Sequence, residues 1–174
     1  MEGISIRRAT FDDAAEIANV HINSWREAYK GLISSDFLDD RPLFFKNRFE
    51  LWKRATRDLE QVTLVAECEK NGVIGFINGG AARDPAKKDY VEVWCLYLLK
   101  KYHGKRVGLN LLKSFFELQI EKGFQKGYLW VLKGNPTISF YEKTGGYYNG
   151  EAKDDEIGTQ TLCELCYVWD NISL

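Results

Sequence analysis

Between Asp89 and Leu132 the chain carries an order of patterns that few folds accommodate. DYVEVWCLYLL (89–99) is apolar on both faces, as a central strand is. VGLNLLKSFFELQIEKG (107–123) places Val107, Leu111, Leu112, Phe115 and Leu118 at helical spacing and closes on Gly123, and GYLWVLKGN (127–135) reads as a strand again. Strand, helix and strand in that order predict a right-handed parallel crossover. The preceding segment predicts the opposite pairing. Val62, Leu64, Ala66 and Cys68 alternate with Thr63, Val65 and Glu67, Asn71-Gly72 is a strong hairpin signal, and VIGFINGGAA (73–82) is the return strand. The polar turn RDPAKKD then leads into the strand at 89–99. An antiparallel meander joined to one parallel β-α-β crossover specifies the α+β class: a mixed, mostly antiparallel sheet flanked by helices.

The remaining segments fit around this frame. ISIRRAT (4–10) reads as a short strand, and residues 12–29 as an amphipathic helix with Ala14, Ile17, Ala18, His21, Ile22 and Trp25 on one face. Thr10 or Asp12 is placed to cap it, and Gly31 ends it. Residues 34–57 continue helically, from a serine cap in SSDFLDD to a new segment at Pro42 with Phe45, Phe49 and Trp52 on one face. PTISFYEKTGG (136–146) predicts a short helix, and TQTLCELCYVWDN a final strand. With no repeat or linker, residues 1–174 read as a single domain. Trp25 and Tyr29, with Phe37 and Phe45, are candidates for one wall of a substrate-binding cleft.

Charge and cysteine content narrow the function classes. Lys plus Arg number 24 against 25 acidic residues, so no overall basic field argues for nucleic acid or an anionic membrane surface. No run approaches the ~18 to 20 apolar residues of a membrane span, and MEGISIRRATFDD lacks the apolar core of a signal peptide; a cytoplasmic location is the expectation. Cys68, Cys95, Cys163 and Cys166 lie in strand-like apolar stretches and are expected as free thiols. Cys163 and Cys166 form a CxxC, but residues three apart on a strand face opposite ways, and only His21 and His103 remain to complete a site. No metal is expected. Asp154, Asp155 and Glu156, in the segment 147–161, offer charge to a cationic polyamine, but a run of this kind reads as a solvated loop.

The stretch YHGKRVGLN (102–110) joins the central strand to the helix. Backbone N–H groups at a helix start lack partners and the helix dipole adds positive potential there. Gly104 and Gly108 let the chain turn tightly, and Lys105 and Arg106 add charge. The junction suits a phosphate or pyrophosphate, yet it is neither a Walker A loop nor a GxGxxG fingerprint.

EVWCLYLLKKYHGKRVG (92–108) resembles the signature segment of the GNAT superfamily of acetyl-CoA-dependent N-acetyltransferases, and LWVLKGNPTISFYEKTGGY (129–147) is similar to that superfamily's second hallmark. The resemblance implies the GNAT fold, acetyl-CoA as cosubstrate, and direct transfer to a primary amine of a small molecule or protein within a ternary complex. It further implies a splayed gap between the strands at 89–99 and 127–133, where the pantetheine arm runs beside Leu96 and Leu98 and meets Asn135. The pyrophosphate loop becomes His103, Gly104, Lys105, Arg106, Val107 and Gly108. His103 stands where the family has Gln or Arg, and Arg106 where it has glycine; these departures leave open a CoA-binding module without turnover.

By the same resemblance Tyr141 is the candidate general acid, the Leu98 backbone N–H the oxyanion donor, and Glu92 the candidate general base. Strand alternation puts Glu92 on one face with Trp94, Leu96 and Leu98, apolar neighbours expected to raise its pKa, and Cys95 on the opposite face in the core. Exposed edge strands of such a sheet could support a homodimer.

Overall fold

A computed structural model describes residues 3–31, 33, 41–157 and 159–174, the side chains of 41–44 excepted. The described elements are β1 (Ile4–Arg8), α1 (Ala14–Ala28), α2 (Arg41–Ala55), β2 (Gln61–Cys68), β3 (Gly72–Ala81), β4 (Tyr90–Leu98), α3 (Val107–Glu121), β5 (Lys126–Leu132), α4 (Ile138–Lys143), β6 (Tyr147–Ile157) and β7 (Gln160–Trp169). The serine cap expected in SSDFLDD lies outside the described residues, as does Phe37.

Seven strands form one sheet in the order β1-β2-β3-β4-β5-β7-β6. Every neighbouring pair is antiparallel except β4 with β5. The crossover through α3 therefore sits at the middle of an otherwise antiparallel sheet, with β4 central as its two apolar faces require. One face packs under α3: Leu111, Leu112, Phe115 and Phe116 meet Val62, Leu64, Ile77, Val91 and Leu129. The other packs under α1 and α2: Ile17, Ala18 and Trp52 meet Val65, Val73 and Phe76. Helices cover both faces, which is why β2 and β3 are buried on their odd and even positions alike.

The start of α1 is tied to the sheet by charge. Arg7 on β1 donates two hydrogen bonds of 2.8 Å to Asp13 and further ones of 2.8 and 3.0 Å to Glu67 on β2. Asp13 in turn accepts from the Thr10 backbone N–H at 2.6 Å and its hydroxyl at 3.0 Å, so Thr10, not Asp12, closes the helix entry.

Two departures from the sequence reading matter for the site. The segment 147–157 is a strand, β6, at the sheet edge, its Asp154, Asp155 and Glu156 pairing in register with Cys163, Leu162 and Thr161. It shows no apolar alternation because it is exposed along nearly its whole length, and such a strand is hard to see from pattern alone. Second, the β3–β4 register shifts between Asn78 and Gly79: Asn78 faces Cys95 and Gly79 faces Val93, so Trp94 bulges out.

Candidate functional site

The bulge at Trp94 creates the site. An extra residue in one strand bends it and turns every later side chain to the other face. Before the bulge Val91 and Val93 pack toward α3; after it Leu96 and Leu98 do so, while Cys95 and Tyr97 join the α1 side. Glu92 therefore shares its face with Cys95 and Tyr97, and not with Leu96 and Leu98. This overturns the expectation from simple alternation for both Glu92 and Cys95. Gly79 is what permits the bulge, since a Cβ there would lie 2.2 Å from the Glu92 carbonyl oxygen. The Gly79-Gly80 pair was the sequence signal that this strand is irregular.

Once bent, β4 leaves β5. Their pairing covers only Tyr90 to Glu92 against Lys126 to Tyr128, and beyond it a cleft of about 1190 Å³ opens between the strands. The Leu99 N–H donates to the Ile74 carbonyl at 3.0 Å, which makes that pair a hydrogen-bonded one of the β3–β4 ladder. By alternation Leu98 and Leu96 turn their N–H and C=O groups to the other edge, toward the gap. The Leu98 carbonyl bears this out, because the His103 ring donates to it from Nε2 at 3.0 Å. Because a carbonyl only accepts, Nε2 is a nitrogen that carries hydrogen.

At the far end of β4 the chain turns into α3. Gly104 (φ 74°) and Arg106 (φ 62°) both adopt the left-handed conformation, the second at a cost, since it carries a β-carbon. Arg106 occupies the N-cap position, and no side chain caps the helix. The first-turn N–H groups of Val107, Gly108 and Leu109 are thus left for an anion, and these residues line the cleft with His103, Gly104 and Arg106. Lys105 does not: it is exposed and its ammonium sits 5.2 Å from the centre of the Tyr102 ring.

On the opposite wall, Asn135 is buried and lines the cleft, its carboxamide oxygen accepting from the Thr137 N–H (2.9 Å) and hydroxyl (2.7 Å). The side chain both closes the turn before α4 and keeps its Nδ2 for a ligand. Tyr141, on α4, lines the same cleft and is 7% exposed. Burial, and then the neighbouring Tyr29 phenol, push its pKa further above the ordinary 10, so it stays protonated at neutral pH with its O–H able to donate.

Trp25 and Tyr29 both line the cleft, brought together by Tyr97, a residue the sequence did not single out. The Trp25 indole donates to the Tyr97 hydroxyl at 2.7 Å, and the Tyr29 hydroxyl lies 3.3 Å from the same atom. His21 stacks on the Tyr97 ring at 4.8 Å and accepts from the Trp52 indole at 3.2 Å. Its burial, reinforced by the Arg48 charge, holds it neutral well below its usual pKa. Phe45 is not part of this wall; it stacks on Phe49 and packs against the α1 side of the core.

Glu92 is 2% exposed and does not line the cleft; Arg83 does. The Arg83 guanidinium grips both carboxylate oxygens, at 2.6 Å and 3.1 Å, and its backbone N–H adds a third bond at 3.0 Å. Burial alone would raise the Glu92 pKa, but these bonds outweigh it and the net shift is downward. The expectation of a raised carboxyl is therefore corrected. Its cause, Arg83, sits in the β3–β4 turn, where a cation looks like ordinary turn composition until the register places it beside the strand. Cys95 is half-buried and lines the cleft, its thiol pushed up to about 11, first by desolvation, which leaves it protonated. All four cysteines are free, and the described residues contain no group of three or more His, Cys, Asp or Glu placed to hold a metal. Among them, too, no helix is long and apolar enough to cross a membrane.

Known proteins share both the sequence and this architecture. The chain is 33% identical to an uncharacterized N-acetyltransferase, YuaI, of Bacillus subtilis over 98% of its length and 95% of that protein's. It is 26% identical to a spermidine N(1)-acetyltransferase of Thermoplasma acidophilum, covering 94% of this chain and 98% of the relative. Among solved structures, the PaiA N-acetyltransferase of Thermoplasma acidophilum in complex with coenzyme A superposes with a TM-score of 0.71 at 24% identity, over 93% of this chain and 98% of that one. Residues 22–147, which hold the bulged strand, the cleft and the αL turn, match the acetyltransferase (GNAT) family, and the chain belongs to it as a GNAT-type N-acetyltransferase.

Proposed function

We propose that the protein moves an acetyl group from acetyl-CoA to a primary amine, of a small molecule or a protein, by direct attack within a ternary complex. The observation that carries this reading is the unpaired edge of β4, with the Leu96 and Leu98 N–H groups turned to the gap and an uncapped, cationic helix start at its end. A pantetheine arm can replace the missing length of β5 by strand-like hydrogen bonds, while its pyrophosphate takes the N–H groups of Val107 and Gly108 and the charge of Arg106. The thioester then lies near Leu98, whose N–H faces the oxygen that becomes negative in the tetrahedral intermediate.

As the C–S bond breaks, the departing thiolate needs a proton or a hydrogen bond, and Tyr141 supplies it from a phenol that remains protonated. Glu92 serves this chemistry through Arg83, which it holds at the cleft wall; with both carboxylate oxygens occupied it is poorly placed to take the amine's proton directly. An aromatic, poorly hydrated acceptor site lowers an amine's pKa so that it attacks as the neutral base, and the proton its nitrogen sheds after attack replaces the one Tyr141 gives to sulfur, leaving the phenol as it began. The Thermoplasma relative named for spermidine agrees with an amine acceptor in general terms.

Isothermal titration with acetyl-CoA, CoA and pantetheine tests the binding step. Micromolar affinity for the first two and its loss for pantetheine is the expected result. Tyr141→Phe is expected to keep that affinity and lower kcat by about 100-fold. Tight binding with no thiol released from any amine would leave a CoA-binding protein instead.

A further inference from the structure

We propose that the acceptor is an amine carrying an anionic group, and that Arg48 binds that group and so sets acceptor specificity. The inference rests on the acetyltransferase reading and names the substrate class of that site.

It comes from following to their partners the charges of the cleft wall outside the pyrophosphate loop and α4, Glu27 among them, which accepts the Lys100 N–H at 3.0 Å. Arg83 is neutralised by Glu92 at 2.6 Å. Glu164, on β7, is paired with Lys153 at 3.3 Å. Asp155 and Glu156 are exposed on edge strand β6, and the Asp155 carboxylate already accepts the Glu156 N–H at 3.0 Å. Arg48 alone among these has no carboxylate among the described residues. Its guanidinium lies 5.2 Å from the centre of the Trp25 ring, half-buried on α2 at the cleft wall. A cation held over an aromatic face keeps its hydrogen-bonding edges available, and a guanidinium fork matches the paired oxygens of a carboxylate or phosphonate.

Two further groups in the cleft point the same way. The Ser24 hydroxyl, 4% exposed on the face of α1 that also carries His21 and Trp25, has no hydrogen-bond partner. The Trp94 indole N–H, on the bulge, is likewise buried and unpartnered. An indole can only donate, and a buried donor without an acceptor costs free energy until a ligand supplies one. A polyamine brings further donors to groups that lack an acceptor, and a second cation beside Arg48. An anionic end brings the acceptors that are missing.

This anion site is distinct from the pyrophosphate loop. Arg48 is close enough to His21 and Cys95 to act on both electrostatically, whereas the loop begins past Leu99. From Cys95 to Leu99 an extended strand spans roughly 13 Å at about 3.3 Å per residue. The acceptor amine would reach the thioester near Leu98 from the Arg48 side.

The test uses acetyl-CoA with matched acceptors: L-glutamate, L-methionine and L-phenylalanine against their α-carboxamides, with taurine, 2-aminoethylphosphonate, putrescine and spermidine alongside. The amides have the less basic and more available amine, so a preference for the acids reports recognition of the charge. We expect kcat/KM for the best anionic amine to exceed its neutral counterpart and both polyamines by at least tenfold. Arg48→Gln should raise KM for that acceptor at least tenfold while leaving the KM for acetyl-CoA within twofold, and Arg48→Lys should recover part of the loss. Equal loss on anionic and neutral acceptors in folded Arg48→Gln overturns the proposal, as does faster turnover of spermidine or of the amides, or no turnover of any anionic amine by enzyme that binds acetyl-CoA. Failure to bind acetyl-CoA in the titration would bring down the acetyltransferase reading itself, and with it this one.

Discussion

Arg106 shows at a single residue how function and stability compete. Its φ of 62° is the conformation that glycine adopts freely and a β-carbon resists, by roughly 1 to 2 kcal/mol. A side chain stands there at the mouth of the uncapped helix, where on the proposed reading its charge meets the incoming phosphates. Arg106→Gly should therefore raise stability by about 1 kcal/mol, after the extra entropy of an unfolded glycine is deducted, and weaken acetyl-CoA binding three- to tenfold with a shallower salt dependence. Urea midpoints and titrations at two ionic strengths check both signs. The motif was legible in the sequence; that its central arginine bears the strain, and that Lys105 beside it turns away, were not, because both depend on backbone dihedrals that residue types only bias.

Among the elements, the β3–β4 pair is the one on which the site depends. Gly79→Ala would put a methyl group 2.2 Å from the Glu92 carbonyl and 2.8 Å from the Phe115 ring, neither of which has room to retreat. We expect a loss of at least about 2 kcal/mol, and acetyl-CoA affinity reduced more than in a variant destabilised equally elsewhere, since β4 must straighten to accept the side chain. The six strands other than β6, the β2–β3–β4 meander and the crossover were readable from periodicity and the hairpin turn. The bulge was not, and its omission inverted the faces assigned to Glu92 and Cys95. A second joint, between β1 and α1, is electrostatic. Hydrogen bonds from Arg7, outweighing the burial that opposes them, bring the Asp13 carboxyl from its ordinary 3.8 down to about 2. A carboxyl depressed in the folded state stabilises above its unfolded pKa and ceases to as pH falls through the folded one. Urea midpoints for wild type and Asp13→Asn should thus differ clearly at pH 6, with the gap closing between pH 4 and 2.

At the scale of the molecule the cleft is a gap in the sheet that, on the proposed reading, the cosubstrate fills. Saturation at 100 times Kd should add about 2.7 kcal/mol and raise Tm by roughly 5 to 10 °C, whereas pantetheine at the same concentration should do little. Differential scanning fluorimetry distinguishes these. What the sequence determined by itself was whatever repeats locally: apolar residues every two or every three to four positions, a turn dipeptide, two glycines and two cations before a helix. From these came the α+β class, the mixed sheet, the turn suited to an anion, and the candidates Gly104, Gly108, Trp25 and Tyr29 that line the cleft; His103, Asn135 and Tyr141, which line it too, came from the resemblance to the GNAT superfamily. Only the tertiary structure decided which charges meet. Arg83 lies in a turn and Arg48 on a helix far along the chain, and neither has a sequence pattern to mark it. One is silenced by Glu92 and the other meets no carboxylate among the described residues, because pairing across a register and packing of one helix on another are properties of distance in space, which local periodicity does not encode.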